Sequence, residues 1–304
     1  MLTQSQAEFD ERTHCINCQS IRFSELSHGR FSDKPLTDFI AADPSGDDIR
    51  PYFETAEWSL VKCDDCSQVF HRRILTDAWN KKRFDEWMSA DAIAEFESRL
   101  GPKHRRRFEA ARSYVEHVLR IEQLTRSIRG DDVVRLLDFG CGWGKFLEVC
   151  ALFGFDGVGV DRSNPRAQGA SFRIYPSLEA MGEHPKFHVI TLFEVLEHLD
   201  EPSETLSALA KVIVPGGLLI LETPDCTGVT DIKAHYDYLK IHPLEHINAF
   251  TRITLKSIAE RNGFTLLKKG SAHVTPDIVR VAKREIKHLI GRGDSSTQLY
   301  FRRT

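Results

Sequence analysis

The stretch VVRLLDFGCGWGKFLEV, Val133 to Val149, decides how the rest of the chain is read. An apolar run rich in β-formers, Val133, Val134, Leu136 and Leu137, ends at Asp138. It passes straight into Gly140-x-Gly142-x-Gly144, and an amphipathic pattern through Phe146, Leu147 and Val149 follows. That order predicts strand, glycine turn and helix, the opening of a parallel α/β sheet. Each glycine has its own use: a tight turn, close approach of backbone to a ligand, and close packing of helix on strand. The spacing differs from the G-x-G-x-x-G of dinucleotide sites. Taken alone, such a turn fits many α/β proteins, so the later strands carry the decision.

Gly154 to Asp161 reads as a second strand ending in a carboxylate. Asp161 follows Gly144 at close to the roughly 20 residues expected of an acid that accepts hydrogen bonds from ribose hydroxyls. Phe187 to Phe193 is an apolar strand, and Glu194-Val-Leu-Glu-His-Leu199 follows at its end. Val214-Pro-Gly-Gly217 then leads into Leu218–Leu221 and Glu222-Thr-Pro224, a loop and a further strand. A helix is expected over Phe250–Asn262, a strand over Gly263–Leu267, a helix over Pro276–Ile290 and a last strand over Gln298–Phe301. Together these motifs resemble the class I S-adenosylmethionine-dependent methyltransferases. The resemblance implies a Rossmann-like, seven-stranded sheet whose last strand lies antiparallel between the fifth and sixth. It also implies S-adenosylmethionine as cofactor, with Asp138, Gly140, Gly142, Gly144, Asp161, Phe193 and Glu194 around it. The fourth-strand motif is not the D/N-P-P-Y/F/W of enzymes that methylate amino groups of DNA, RNA and protein glutamine, which argues against exocyclic base methylation.

Four of the seven cysteines form two pairs, Cys15-x-x-Cys18 and Cys63-x-x-Cys66. That is the knuckle spacing of a tetrahedral zinc site. The long gap between the pairs holds turn signals at Ser27-His28-Gly29 and Asp43–Asp47, which allow a looped excursion. Strands are expected at Trp58–Lys62 and Val69–Phe70. Redox C-x-x-C chemistry and chance pairing are the competing readings. Four thiolates close the coordination shell, so the zinc is structural. With few large apolar residues, the segment is expected to draw much of its folding free energy from the metal. The ribbon could also contact substrate or RNA through Arg72-Arg73 or Lys81-Lys82-Arg83, although charge runs usually face water.

A helical connector follows, with Thr76-Asp77 as cap and Phe84, Trp87 and Met88 as an apolar face. After a break at Gly101-Pro102, a second helix runs from about Lys103 to Ile128 and ends at Gly130. In the resembled family a helix in this place covers the cofactor pocket. The basic run Lys103–Arg107 could face an anionic substrate, the methionine carboxylate or water. The expected organisation is an α/β chain with a zinc ribbon over 1–75, a helical connector over 76–130 and the methyltransferase domain over 131–304.

His242-Pro-Leu-Glu-His-Ile-Asn-Ala-Phe-Thr251 fits the E-H-x-x-x-F-[ST] element of methyltransferases that carry such a ribbon. Many of that group resemble modifiers of nucleotide sugars or surface glycans. Sugar C-methyltransferases of the group read Y-H-E-H, whereas Pro243 and Leu244 stand before Glu245 and His246 here. The departure weakens C-methylation and leaves O-methylation open. A hydroxyl acceptor benefits from a general base, and His246, oriented by a carboxylate such as Glu245, is the candidate. The alternative is that His246 caps the helix entry or anchors the loop. His198 reads as structural, and Cys141, Cys150 and Cys226 as ordinary thiols.

The chain has 304 residues with a net charge of −3 and 41% hydrophobic residues, so it can build a sizeable core. No basic excess points to nucleic acid, and no apolar run approaches the roughly 18 to 20 residues that span a bilayer. The N-terminus lacks signal-peptide character, so the expectation is a cytoplasmic protein with reduced or metal-bound thiols. The expected partner is a small molecule, a sugar nucleotide or glycan precursor first. An RNA methyltransferase and a non-catalytic cofactor-binding protein are the alternatives.

Overall fold

The computed structural model describes residues 5–42, 45, 48–89, 91–93, 95, 103–162, 170–230, 232, 235–267, 282, 286 and 297–304, with 103–109 and 235–236 as backbone only. The first part runs β1 (Phe9–Glu11), β2 (Phe23–Arg30), α1 (Leu36–Ala41), a 3-10 turn at Arg50–Phe53, β3 (Glu57–Cys63), β4 (Val69–His71) and β5 (Arg73–Leu75). The connector is α2 (Asp77–Lys82), which continues through a π-helical turn at Arg83–Trp87, and α3 (Lys103–Arg129). Next come β6 (Arg135–Phe139), α4 (Lys145–Leu152), β7 (Asp156–Val160), β8 (Ile174–Tyr175), α5 (Leu178–Met181) and β9 (Phe187–Phe193). The chain continues with α6 (Pro202–Val212), β10 (Ile213–Glu222), α7 (His235–Tyr238), β11 (Asn248–Ala249), α8 (Arg252–Arg261), β12 (Phe264–Leu266) and β13 (Leu299–Arg303). The helix expected over Pro276–Ile290 lies outside the described residues.

The main sheet has seven strands in the order β12-β13-β10-β9-β6-β7-β8. β13 is antiparallel to both β10 and β12, in the inserted position the sequence motifs imply. The pairs from β10 through β9, β6 and β7 to β8 are parallel. β9 is buried along almost its whole length, as a central parallel strand covered on both faces must be. Alternation splits the side chains between two layers. Leu136, Val189, Leu218 and Ile220 face α3 and α4 through Val118, Ile121, Phe146 and Leu147. Leu137, Ile190, Leu219 and Leu221 face α6 and α8 through Leu206, Leu209, Leu255 and Ile258. α8 starts at a capping box: Thr251 Oγ1 accepts from the Thr254 N–H, and Thr254 Oγ1 accepts from the Thr251 N–H.

A second sheet has the order β11-β4-β3-β2. Its edge strand β11 comes from the C-terminal half of the chain, pairing Asn248 with Phe70 and Ala249 with Val69. The cysteine knuckles do not stand apart either. Cys15, Ile16, Val61, Cys63 and Phe70 share one apolar cluster with Phe250, Leu255 and Leu221. The excursion between the knuckles corrects the expectation of few large apolar residues. Phe31, Phe53 and Trp58 of the excursion form a second core with Trp79 and Trp87 of the connector and with Tyr238, Ile241 and Leu244. Aromatic rings carry large buried areas each, so a short segment gains a core from a handful of them.

Candidate active site

β6 delivers Asp138 to the carboxyl end of the sheet, where the glycine turn begins. Asp138 is buried and its Oδ1 accepts from Thr191 Oγ1 at 2.6 Å. Burial, with Asp161 adding to it against the Thr191 bond, pushes the Asp138 carboxyl up to about 7. Gly140 has φ +76°, and a Cβ there would run into the Val195 side chain from the end of β9, so only glycine fits. The Gly142 N–H donates to Asp161 Oδ2 at 2.8 Å, joining the turn to the end of β7. Gly144, also left-handed, is the N-cap of α4. The structure thus gathers Asp138, Gly140, Gly142, Gly144 and Asp161 at one end of adjacent parallel strands, where α/β sheets bind ligands.

Phe193 and Glu194 close this site from β9. The Phe193 ring lies 4.6 Å from His117 of α3 and 5.1 Å from Phe146 of α4, centroid to centroid. Glu194 is a non-glycine residue at φ 54°, held there by its N–H to the Glu222 carbonyl at 2.8 Å. Burial and the Glu222 carboxylate push the Glu194 carboxyl up to about 6. Sequence reasoning passed over a polar group beside it. His117 Nδ1 and the Tyr300 hydroxyl are 2.6 Å apart, and Gln298 Nε2 donates to Glu222 Oε2 at 2.8 Å.

Beyond Glu194 the chain makes a 3-10 turn, Leu196–His198, that carries Glu197 and His198. Here the element 242–248 meets the strand end. The His246 ring lies 4.7 Å from His198 and 6.0 Å from His242. Donor atoms of Glu197, His198 and His246 fall within 4.8 Å of one another, close enough to share a proton network or a metal ion. Burial, then His242, lowers His246 to about 4, with Glu245 opposing. Burial, then His246, lowers His198 to about 3. Burial and Glu194 raise Glu197 well above the ordinary carboxyl range. Both rings are therefore neutral near pH 7, the form that accepts a proton. His246 Nδ1 is buried and has no hydrogen-bond partner among the described residues.

Glu245 sits beside His246 in sequence, yet its contacts go elsewhere. Arg83 donates to Glu245 Oε1 at 2.6 Å and to the Leu244 carbonyl at 2.5 Å, and His242 Nε2 stands 3.7 Å from Glu245 Oε2. Burial works against the charge of Glu245, but Arg83 and His242 hold its carboxyl well below the ordinary range. The orienting partner expected for His246 is thus committed to Arg83 and His242. The guanidinium serves the Glu245 carboxylate with one nitrogen and the Leu244 carbonyl with the other, a pair of donors that one imidazole N–H cannot match. Arg83 itself corrects the reading of Lys81-Lys82-Arg83 as a solvated run: it is only 7% exposed. Its position after Trp79, on the side of the helix that carries Trp79 and Trp87 inward, was the available signal.

The cysteine pairs converge as their spacing predicts. Cys15 Sγ and Cys66 Sγ are 3.5 Å apart, as are Cys18 Sγ and Cys63 Sγ, and all four sulfurs lie within 4.8 Å of one another. Four converging thiols on two knuckles fit a tetrahedral zinc ion with no open position. Burial raises the Cys18 thiol to about 11, and Cys66, bonded to Cys15, is raised further.

A glycine turn at the end of a parallel strand, on a seven-stranded sheet with an inserted antiparallel strand, defines a Rossmann-like fold. The methyltransferase-domain family profile matches residues 84–269. The chain belongs to that family of methyltransferase domains. It is 38% identical over 130 residues to the ubiquinone biosynthesis O-methyltransferase of Caulobacter sp., covering 37% of this chain and 51% of that protein. It is 30% identical over 117 residues to the enzyme of the same name from Alkalilimnicola ehrlichii, covering 34% and 47%. The chain thus spans about half the length of the curated relatives it matches. Among solved structures, a SAM-dependent methyltransferase from Archaeoglobus fulgidus is 25% identical, with a TM-score of 0.39, over 63% of this chain and 92% of that one. Among the described residues no helix is long and apolar enough to cross a membrane.

Proposed function

We propose that the protein methylates a hydroxyl of a small molecule, with a sugar nucleotide or glycan precursor as the first class to test. The observation that carries the proposal is the His246 ring, 4.7 Å from His198 beyond the end of β9, its buried Nδ1 without a hydrogen-bond partner among the described residues. S-adenosylmethionine, when bound, supplies a methyl already activated on a sulfonium. The residues that would hold it are Asp138, Gly140, Gly142, Gly144, Asp161, Phe193 and Glu194. What remains for the protein is to align the acceptor and take its proton. His246 takes that proton, and Arg83 and His242 fix the backbone of the element that carries it through Glu245. The zinc-ribbon resemblance and the Glu245-His246 element support a sugar acceptor. The names of the curated relatives support O-methylation and favour a second acceptor class, a phenol.

The test is transfer of labelled methyl from S-adenosylmethionine into host extract, fractionated by size and charge and repeated after RNase. Label in a small, anionic, RNase-insensitive fraction supports the sugar-nucleotide class, and label in an apolar extractable fraction supports the phenol. Label lost with RNase overturns both. A His246→Ala protein that binds cofactor and keeps full turnover removes His246 as the base.

A further inference from the structure

We propose that Arg12, on the ribbon side, is a positioning residue for methyl transfer: it sets the placement of His198 against His246. The inference rests on the reading of His246 as the proton acceptor. Arg12 follows β1, three positions before the first knuckle cysteine, and is only 7% exposed. Its guanidinium reaches across to the other half of the chain. Nη1 donates to Asn248 Oδ1 at 2.7 Å and to the His71 carbonyl at 3.4 Å. Nη2 donates to the Asp200 carbonyl at 2.9 Å and the Leu199 carbonyl at 3.2 Å. Asn248 completes the clamp, its Nδ2 donating to the Leu196 carbonyl at 2.9 Å and the Leu199 carbonyl at 2.7 Å.

These bonds have a common geometry. Leu196, Leu199 and Asp200 bracket the turn that carries Glu197 and His198. Asn248 stands two residues after His246, and the intervening Ile247 carbonyl accepts from the His71 N–H of β4 at 2.8 Å. Gln68 Nε2 adds a bond to the Ala249 carbonyl at 2.8 Å. The two histidine rings themselves meet edge to face, with no hydrogen bond between them among the described residues. Arg12 and Asn248 supply the polar link between the two segments: the guanidinium holds the backbone of the strand-end turn and the Asn248 side chain together. The cation is expensive to bury, and burial lowers it to about 10 against the support of Asp200 and Glu201. A planar fork of five donors serves carbonyl groups from three segments at once, which no other side chain does.

The ribbon's cysteines hold the clamp in turn. Cys15 follows Arg12 closely, and Cys63 and Cys66 precede β4, whose His71 backbone bonds both Arg12 and Ile247. The ribbon therefore acts on the reaction through the acceptor-side histidines and leaves the donor pocket, built on β6 and β7, untouched.

The experiment compares full-length, zinc-loaded wild type with Arg12→Lys, Arg12→Gln and Asn248→Ala. Three quantities are read: affinity for S-adenosylmethionine by calorimetry, imidazole NMR signals of His198 and His246, and the rate of labelled methyl transfer at saturating donor into the extract fraction that wild type labels. Expected in Arg12→Gln and Asn248→Ala are donor affinity within about twofold, displaced signals for both histidines, and a loss of rate of about tenfold to a hundredfold, the scale of a misplacement near 1 Å. Arg12→Lys recovers part of the rate, since an ammonium keeps some of the bonds. Asn248→Ala leaves the cation in place and keeps the proposal testable where Arg12→Gln fails to fold. Unmoved histidine signals, an unchanged rate, or a rate that falls only in step with donor affinity each overturns the proposal. A separate His246→Ala arm tests the base: full turnover there removes the base reading, whereas the histidine signals report the clamp independently.

Discussion

Removal of Arg83 should strand the Glu245 carboxylate, and the structure sets the size of the effect. In Arg83→Met the hydrogen bonds to Glu245 Oε1 and to the Leu244 carbonyl disappear, along with the guanidinium lying 4.9 Å from the Phe84 ring. Arg83 and Glu245 are both largely shielded, so the loss belongs to the class of broken buried pairs, about 3–5 kcal/mol, and not to exposed pairs of about 0–1 kcal/mol. His242, 3.7 Å from Oε2, stays beside the carboxylate and offsets part of this, which places the expected value toward the lower bound. For a domain of this size that corresponds to roughly 6–12 °C in melting temperature. Urea unfolding followed by tryptophan fluorescence reads it, with Trp87 buried close by on the same turn. Glu245→Gln in the same background should return more than half of the loss, because it removes the charge left unpaired. The pH dependence has a definite sign. Glu245 is held below its ordinary 4.5, so the pair's contribution is present above that pH and is lost as pH falls through the lowered value. The difference between wild type and Arg83→Met should therefore shrink only below about pH 4.5. A cost for Arg83→Met under about 1 kcal/mol, or a double mutant that is simply additive, would refute the reasoning.

Gly140→Ala should abolish binding of S-adenosylmethionine in calorimetry, since the new Cβ meets Val195 at φ +76°; adding Val195→Ala should restore it in part, the left-handed strain of about 1–2 kcal/mol remaining. Zinc added to metal-free protein should release protons, read with a pH indicator, because Cys18 sits near 11 without metal; Cys63→Ser should weaken zinc binding and lower the melting temperature. The acid limb of the transfer rate should fall near pH 4, where His246 protonates, and not near the ordinary imidazole value of 6.5. Stability should likewise decline as pH drops below 6.5, since unfolding lets His71, His198 and His246 take up protons that burial denies them.

The donor side was legible because each of its features is local. A β-rich run ending in Asp138, a turn that only glycine can make at 140 and an acid at the end of the next strand follow one another within one strand–helix–strand unit. The cysteine knuckles were legible for the same reason, two short spacings that leave thiols little choice of partner. The acceptor side was half legible. Glu245 and His246 announced themselves as residue types, but their partners come from elsewhere in the chain. Arg83 lies 162 positions from Glu245, and Arg12 lies 236 positions from Asn248. No periodicity in a window carries such a pairing. Charge runs add a bias of their own, since Lys81, Lys82 and Arg83 look alike in sequence, yet of the three only Arg83 is buried, while Lys82 lies over the Tyr52 and Trp79 rings. His71 was hidden more simply, as one polar residue inside a short strand that proves to be buried against the histidine cluster.

The pairing of β4 with β11 also bears on how separable the parts are. Phe70 is the register partner of Asn248 and is fully buried in the same cluster as Phe250, Leu255 and Ile258 of the methyltransferase part. A fragment starting at residue 76 would keep every strand of the seven-stranded sheet, and with it the glycine turn and Asp161. It would also leave β11 without its neighbour and uncover the part of the Phe250 and α8 cluster that Cys15, Ile16, Val61 and Phe70 now share. At about 25 cal/mol for each Å² of apolar surface returned to water, even partial uncovering takes a share of the roughly 5–15 kcal/mol that holds a domain folded. The expected result is a fragment with native-like far-ultraviolet dichroism, weak cooperativity on heating and dye-binding apolar surface. A fragment that instead melts sharply and binds S-adenosylmethionine as tightly as the whole chain would show that the ribbon is an appendage. In that case the contacts of Phe70 with the α8 layer would contribute far less than their burial implies.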